Sequence, residues 1–154
     1  MAPILKRFAK TIEIEVSPEA FVFRCKGEPI RIATHGYLRR LKSGVPPYEF
    51  GEEPGTSVCT PISLFSSLPR EFHEDIVEVL AAFILYGITR LFKEKPNRSI
   101  VRPILLFRGI ERFETGFGFE YAVFRAAGSM LALGATEVYF ESEQAEENTG
   151  VPPL

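Results

Sequence analysis

Apolar and polar positions alternate with a period of two through the first part of the chain. Ile12, Ile14 and Val16 are separated by Glu13 and Glu15, which predicts a strand over 11–16 with one buried face. Phe21, Phe23 and Cys25 alternate with Val22 and Arg24, and Ile30 and Ile32 with Arg31 and Ala33, giving strands near 20–25 and 29–34. Ser17-Pro18-Glu19 and Lys26-Gly27-Glu28 are turn clusters, so the three strands read as an antiparallel meander. Glu13 and Glu15 are complementary in sign to Arg24 and Arg31 on the other two strands. Such cross-strand pairs favour one register, by about a few tenths of a kcal/mol each.

The pattern breaks up between His35 and Ser67. Tyr37 to Leu41 reads as a candidate short helix, Gly44 to Pro47 and Glu52 to Gly55 as loops, and part of Val58 to Phe65 as extended chain. A three- and four-residue spacing then takes over. Phe72, Ile76, Leu80, Phe83, Ile84, Ile88 and Leu91 lie on one broad face of a helix expected over 70–94. Pro69 suits a helix start, Ser66 or Ser67 is placed to cap it, and Pro96-Asn97 stops it. Acidic Glu71, Glu74 and Asp75 suit the positive end of the helix dipole, as Arg90, Lys93 and Lys95 suit the negative end.

Ser99 to Glu143 reads as a βαβ unit. The unbroken apolar run Ile104-Leu105-Leu106-Phe107 predicts a strand over 102–107 buried on both faces, the habit of an interior strand in a parallel arrangement. A helix over 118–133 follows, with Val123, Ala126, Ala127 and Met130 at helical spacing and Ala122 and Gly128 adding to its small residues. Gly134 stands where a C-cap belongs, and a last strand covers 137–140. The expectation is one α/β domain over 1–143, with a five-stranded mixed sheet, two main helices and a polar tail over 144–154.

At 154 residues the chain is long enough for one cored domain. A formal net charge of -2 gives no electrostatic reason to expect nucleic acid or an anionic membrane as partner. Cys25 and Cys59 have no metal-ligand spacing near them and read as buried thiols of a reducing compartment. The first eight residues lack the apolar core of a signal peptide. The apolar window Ile76 to Phe92 is broken by Glu78, Gly87, Thr89 and Arg90, so a membrane span is not expected and a cytoplasmic location is.

Catalytic motifs are missing. His35 and His73 have no converging partners, and His73 with Glu74 and Asp75 reads as a solvated first helical turn. Ser17, Ser63 and Ser66 lack a nucleophile elbow. Gly116-Phe117-Gly118 precedes a helix but is neither a dinucleotide fingerprint nor a Walker loop. Phe113 and Phe117 at this loop either tuck into a sheet edge or serve a partner.

A meander followed by helix-linked strands is the topology of one half of the actin and ribonuclease-H-like fold. Thr11 to Gly27, Arg102 to Phe107 and Gly134-Ala135-Thr136-Glu137-Val138-Tyr139-Phe140 carry a further likeness, with Phe50-Gly51-Glu52-Glu53 a weaker match. In these stretches the chain resembles the first subdomain of the MreB family of bacterial actin homologues, the rod-shape-determining proteins. The resemblance implies a phosphate-binding Asp-X-Gly-Thr turn between the first two strands. The matching positions here read Glu15-Val16-Ser17-Pro18-Glu19, with no N–H at Pro18 and a carboxylate at Glu19. A like charge a few Å from a phosphate costs on the order of 1–4 kcal/mol near a surface. Of the family's Glu-Glu pair after the last strand only Glu143 remains, in Ser142-Glu143-Gln144. The chain also ends about where the family's second large domain begins, so half of the nucleotide contacts have no counterpart.

The resemblance thus implies an actin-like half that has lost its nucleotide site, with no catalytic residues, cofactor or metal. The expected role is a non-catalytic interaction module, self-associating or docking on a protein partner, with cell shape or the cytoskeleton as the family's context. Phe113, Phe117 and Phe119 are the candidate interaction surface. The competing expectation is a small-molecule-binding protein or enzyme with a cleft around Glu13, Glu15, Glu143 and His35.

Overall fold

A computed structural model describes residues 11–94, 104–112, 121–130 and 138–141. The meander forms as its alternation predicts. Strands β1 (Thr11–Val16), β2 (Ala20–Arg24) and β3 (Ile30–Ala33) pair antiparallel, with Glu13 opposite Arg24 and Phe21 opposite Ile32. Two later strands, β7 (Ile104–Arg108) and β8 (Val138–Phe140), extend the sheet in parallel on the other side of β1, to give the order β3-β2-β1-β7-β8. The first strand of the βαβ unit therefore lies inside the sheet, between β1 and β8, although β1 is the central strand.

Parity along β7 assigns its side chains. Ile12 and Ile14 stand opposite Leu105 and Phe107, and all four belong to the hydrophobic core. Leu106 stands between Glu13 and Tyr139 on the reverse face. It is buried at 6% exposure but is not part of that core cluster, so the middle of the apolar run points away from the helices.

The expected helix over 70–94 is two elements. Arg70–Asp75 forms a 3₁₀ helix after Pro69, and the α-helix α1 runs over Ile76–Glu94. Pro69 occupies the cap position with no side-chain cap, so neither Ser66 nor Ser67 caps the helix; the Ser66 and Ser67 N–H groups instead turn back onto the Ser63 carbonyl. Helix α2 covers Tyr121–Met130. Of the expected stripe, Ala127 is buried and Val123 and Met130 pack partly buried against the core, while Ala126 is exposed, as is Ala122; Phe124 and Gly128 are buried beside them. A Cβ on Gly128 would stand 2.8 Å from a Val138 methyl, so glycine sets the close approach of α2 to β8.

The region from His35 to Ser67 departs most from expectation. Tyr37 to Leu41 is not a helix: His35–Arg40 is strand β4, the centre of a second antiparallel sheet. Strands β5 (Tyr48–Gly51) and β6 (Thr60–Ser63) flank it in the order β5-β4-β6. Leu38 pairs with Phe50 on one side and Thr60 on the other. The period of two was hidden because Gly36 and Arg40 share the inner parity with Leu38, leaving one apolar residue where three mark a strand. Gly36 is required there, since a Cβ would meet the Phe50 ring at 2.6 Å.

Helix α1 lies between the two sheets. The Phe83 ring meets Phe21 of the large sheet edge-on at 4.9 Å and Phe50 of the small sheet at 4.8 Å. This explains why Val79, Ala81 and Ala82 are buried along with the predicted face. At Gly87 an added Cβ would lie 2.1 Å from the Phe23 ring, so that ring fills a notch in the helix. Leu38, Phe50 and Ile62 join Ile14, Phe21 and Phe83 in one continuous core. Among the described residues no helix is long and apolar enough to cross a membrane.

Candidate functional site

The turn at Ser17-Pro18-Glu19 is where the resemblance implies phosphate binding. It is closed on itself. The Ser17 hydroxyl donates to the Ala20 carbonyl at 2.8 Å and accepts the Ala20 N–H at 3.2 Å. From the end of β3 the Thr34 hydroxyl donates to the Pro18 and Glu19 carbonyls, at 2.6 and 3.0 Å, and the Thr34 N–H donates to Glu19 at 3.0 Å. Thr34 is buried, which makes these bonds strong relative to the solvated alternative. The polar groups that could approach an anion at Ser17, Ala20 and Thr34 are bonded within the turn.

Of the other expected positions, Glu13, Glu15 and His35 are among the described residues. Glu13 and Glu15 lie on the reverse face of β1, and Glu13 is paired with Arg108 of β7 at 3.4 Å. His35 opens β4 in the other sheet, opposite Ser63. The structure does not place His35 with the two glutamates, and Glu143 lies outside the described residues. Phe113, Phe117 and Phe119, with Gly116 and Gly118, also lie outside them. His73 is exposed and its ring hydrogen bonds to the Leu68 carbonyl at 2.8 Å, in the 3₁₀ helix rather than in an α-helical first turn. Cys25 is buried, as its inward parity predicts, and Cys59 only half-buried; neither is in a disulfide. Among the described residues no group of three or more His, Cys, Asp or Glu side chains could hold a metal ion.

A groove of about 280 Å³ lies on the outer face of the small sheet, under the loop that joins β5 to β6. Tyr37 and Arg39 of β4 and Glu49 of β5 supply the sheet side; Glu53, Thr56 and Ser57 supply the loop side. Alternation places them there, because Leu38 and Phe50 take the helix-facing positions. Arg39 donates from Nη2 to Glu49 Oε1 at 2.9 Å and from Nη1 to the Ser57 hydroxyl at 3.2 Å, tying sheet to loop. The Cys59 thiol donates to the Pro54 carbonyl at 3.0 Å and closes the loop from its other end. The sequence did mark this place, by the run Gly51-Glu52-Glu53-Pro54-Gly55-Thr56-Ser57, dense in turn formers and polar side chains. Without β4 recognised as a strand, nothing showed which side chains face that run.

Two polar ties hold the small sheet in place. The Tyr48 hydroxyl donates to Asp75 at 2.5 Å and accepts from Arg40 at 2.9 Å. Burial, then the Asp75 hydrogen bond and charge, push the Tyr48 phenol above its ordinary value. At the far end of β5, Arg90 of α1 donates to Glu52 at 2.7 Å and to the Tyr86 hydroxyl at 3.3 Å. Those bonds, Tyr86 first, keep its guanidinium charged more firmly than usual.

Comparisons with protein-family models and with curated proteins returned no match for this chain.

Proposed function

We propose that this chain is a non-catalytic interaction module built like one half of an actin-type protein, with an MreB-like phosphate turn that no longer receives a nucleotide. The observation that carries the reading is the closed Ser17–Ala20 turn, whose hydroxyl and N–H are bonded to each other and whose carbonyls accept from Thr34. Pro18 adds no donor and Glu19 adds an exposed negative charge. The sheet order supports the topology behind the reading: a meander extended on its first strand by helix-linked parallel strands. The module acts in the cytoplasm by self-association or by docking on a protein partner, in the context of cell shape or the cytoskeleton, and uses neither nucleic acid nor cofactor.

Isothermal titration with Mg-ATP tests the lost site. No saturable heat is expected up to millimolar nucleotide, and a dissociation constant in the low micromolar range, about -8 kcal/mol, overturns the reading. Light scattering at tens of micromolar tests association, alone and after Phe113→Ser with Phe117→Ser. A mass above the monomer that falls in the double variant supports Phe113 and Phe117 as part of the contact surface. A strictly monomeric protein removes self-association and leaves only docking on a different partner.

A further inference from the structure

The groove on the small sheet holds charges of both signs that the described residues do not use up. Among the described residues Arg39 has two partners, Glu49 and Ser57, which engage two of its five N–H donors. Glu53 lines the same groove and is exposed, with no hydrogen-bond or ion-pair partner among the described residues. The Tyr37 and Thr56 hydroxyls are likewise without a partner among them. We propose that this groove binds a free α-amino acid in its zwitterionic form, with the carboxylate on Arg39 and the ammonium on Glu53.

The charge balance selects this class. Two carboxylate residues, Glu49 and Glu53, and one guanidinium line the groove, so a phosphate or other dianion meets a net negative site. A simple cation satisfies Glu53 and leaves the remaining donors of Arg39 unmatched. A zwitterion answers both, and leaves the Arg39–Glu49 pair in place to hold the guanidinium fork in a fixed plane. Size agrees: about 280 Å³ is just below the ordinary range for drug-sized ligands, roughly 300–1,000 Å³, and suits a ligand of a few heavy atoms. The thiol bond from Cys59 to the Pro54 carbonyl and the Arg39 bond to Ser57 pre-organise the loop wall, which reduces the ordering cost on binding. The inference does not depend on the actin-like reading, because the groove lies on the other sheet.

The test is titration of the full chain with each of the twenty amino acids, followed by backbone amide NMR shifts. At least one should give saturable shifts confined to residues 37–39 and 49–59. The N-acetyl and the methyl ester derivatives of that amino acid each keep one charge and should bind at least tenfold more weakly. Glu53→Gln touches an exposed residue with no partner among the described residues, so the fold is expected to persist, and it should weaken binding at least tenfold. Arg39→Gln should do the same. No response from any amino acid overturns the inference. So does equal binding of either blocked derivative, which marks a site for one charge only, and so does undiminished binding by Glu53→Gln with the remote spectrum unchanged.

Discussion

The two sheets of this protein bury apolar surface against the same helix by different means. The large sheet presents Ile12, Ile14, Phe21, Phe23, Leu105 and Phe107, an almost purely apolar face. The small sheet presents Leu38, Phe50 and Ile62, together with Tyr48, whose phenol must find partners in Asp75 and Arg40. Burial that is all hydrocarbon needs no directional bonds and tolerates small adjustments. Burial that includes a hydroxyl fixes one orientation, because an unpaired buried polar group costs about 1–3 kcal/mol. The large sheet thus supplies cohesion, and the small sheet is docked at defined points.

The two modes of burial meet at Phe83, which touches both sheets. Phe83→Ala should lower stability by about 3–5 kcal/mol, read from urea unfolding, and the loss should appear in a single transition. Two separated transitions would mean that the small sheet opens on its own. Gly87→Ala tests the large-sheet side alone. Helix propensity favours alanine by about 1 kcal/mol, but the Phe23 ring occupies the space, so a net loss of about 1–3 kcal/mol is expected. A stabilised variant would show that the ring yields freely.

Tyr48→Phe tests the small-sheet side, with an expected loss of about 1–2 kcal/mol at neutral pH. The phenol is raised in the fold, so its protonated form is the one that folding favours. The wild type's advantage is therefore complete below a pH of about 10 and is lost as pH rises through the higher folded value. The difference between the two stability profiles should be flat at neutral pH and shrink in alkali; a difference that grows there refutes the assignment. Smallest is Glu52→Gln at the Arg90 tie. Both side chains are about one-third exposed, so about 0.2–1 kcal/mol is expected, declining with added salt.

How much of this was legible in the sequence follows from the same contrast. Ile12 to Phe23 and Ile104 to Phe107 announce their strands because every inward position is apolar. In β4 the inward positions are Gly36, Leu38 and Arg40, whose reasons lie in their partners: Gly36 makes room for Phe50, and Arg40 serves Tyr48. Such reasons exist only after the chain has folded, and no period along the sequence carries them. Phe124 was missed by the stripe assigned to α2 for a simpler reason, since a run of small residues beside it fits more than one helical face. The groove was illegible as a site because Arg39 comes beside Glu49 only when β4 pairs with β5, and meets Ser57 of the loop wall only in the folded chain.

The ring of Phe23 seated at Gly87 works as a key in a keyway. An α-helix that slides along a sheet moves most readily by whole turns, about 5.4 Å, because that restores its surface pattern. One turn in either direction from Gly87 brings Phe83 or Leu91 over the ring, and neither leaves a notch for it. The helix is thereby indexed lengthwise on the large sheet. Since the small sheet is fastened to the helix through Phe50 and Glu52, and through Tyr48 to the 3₁₀ turn that leads into it, a single missing methyl group sets the longitudinal position of everything mounted on the helix's far side, the groove included.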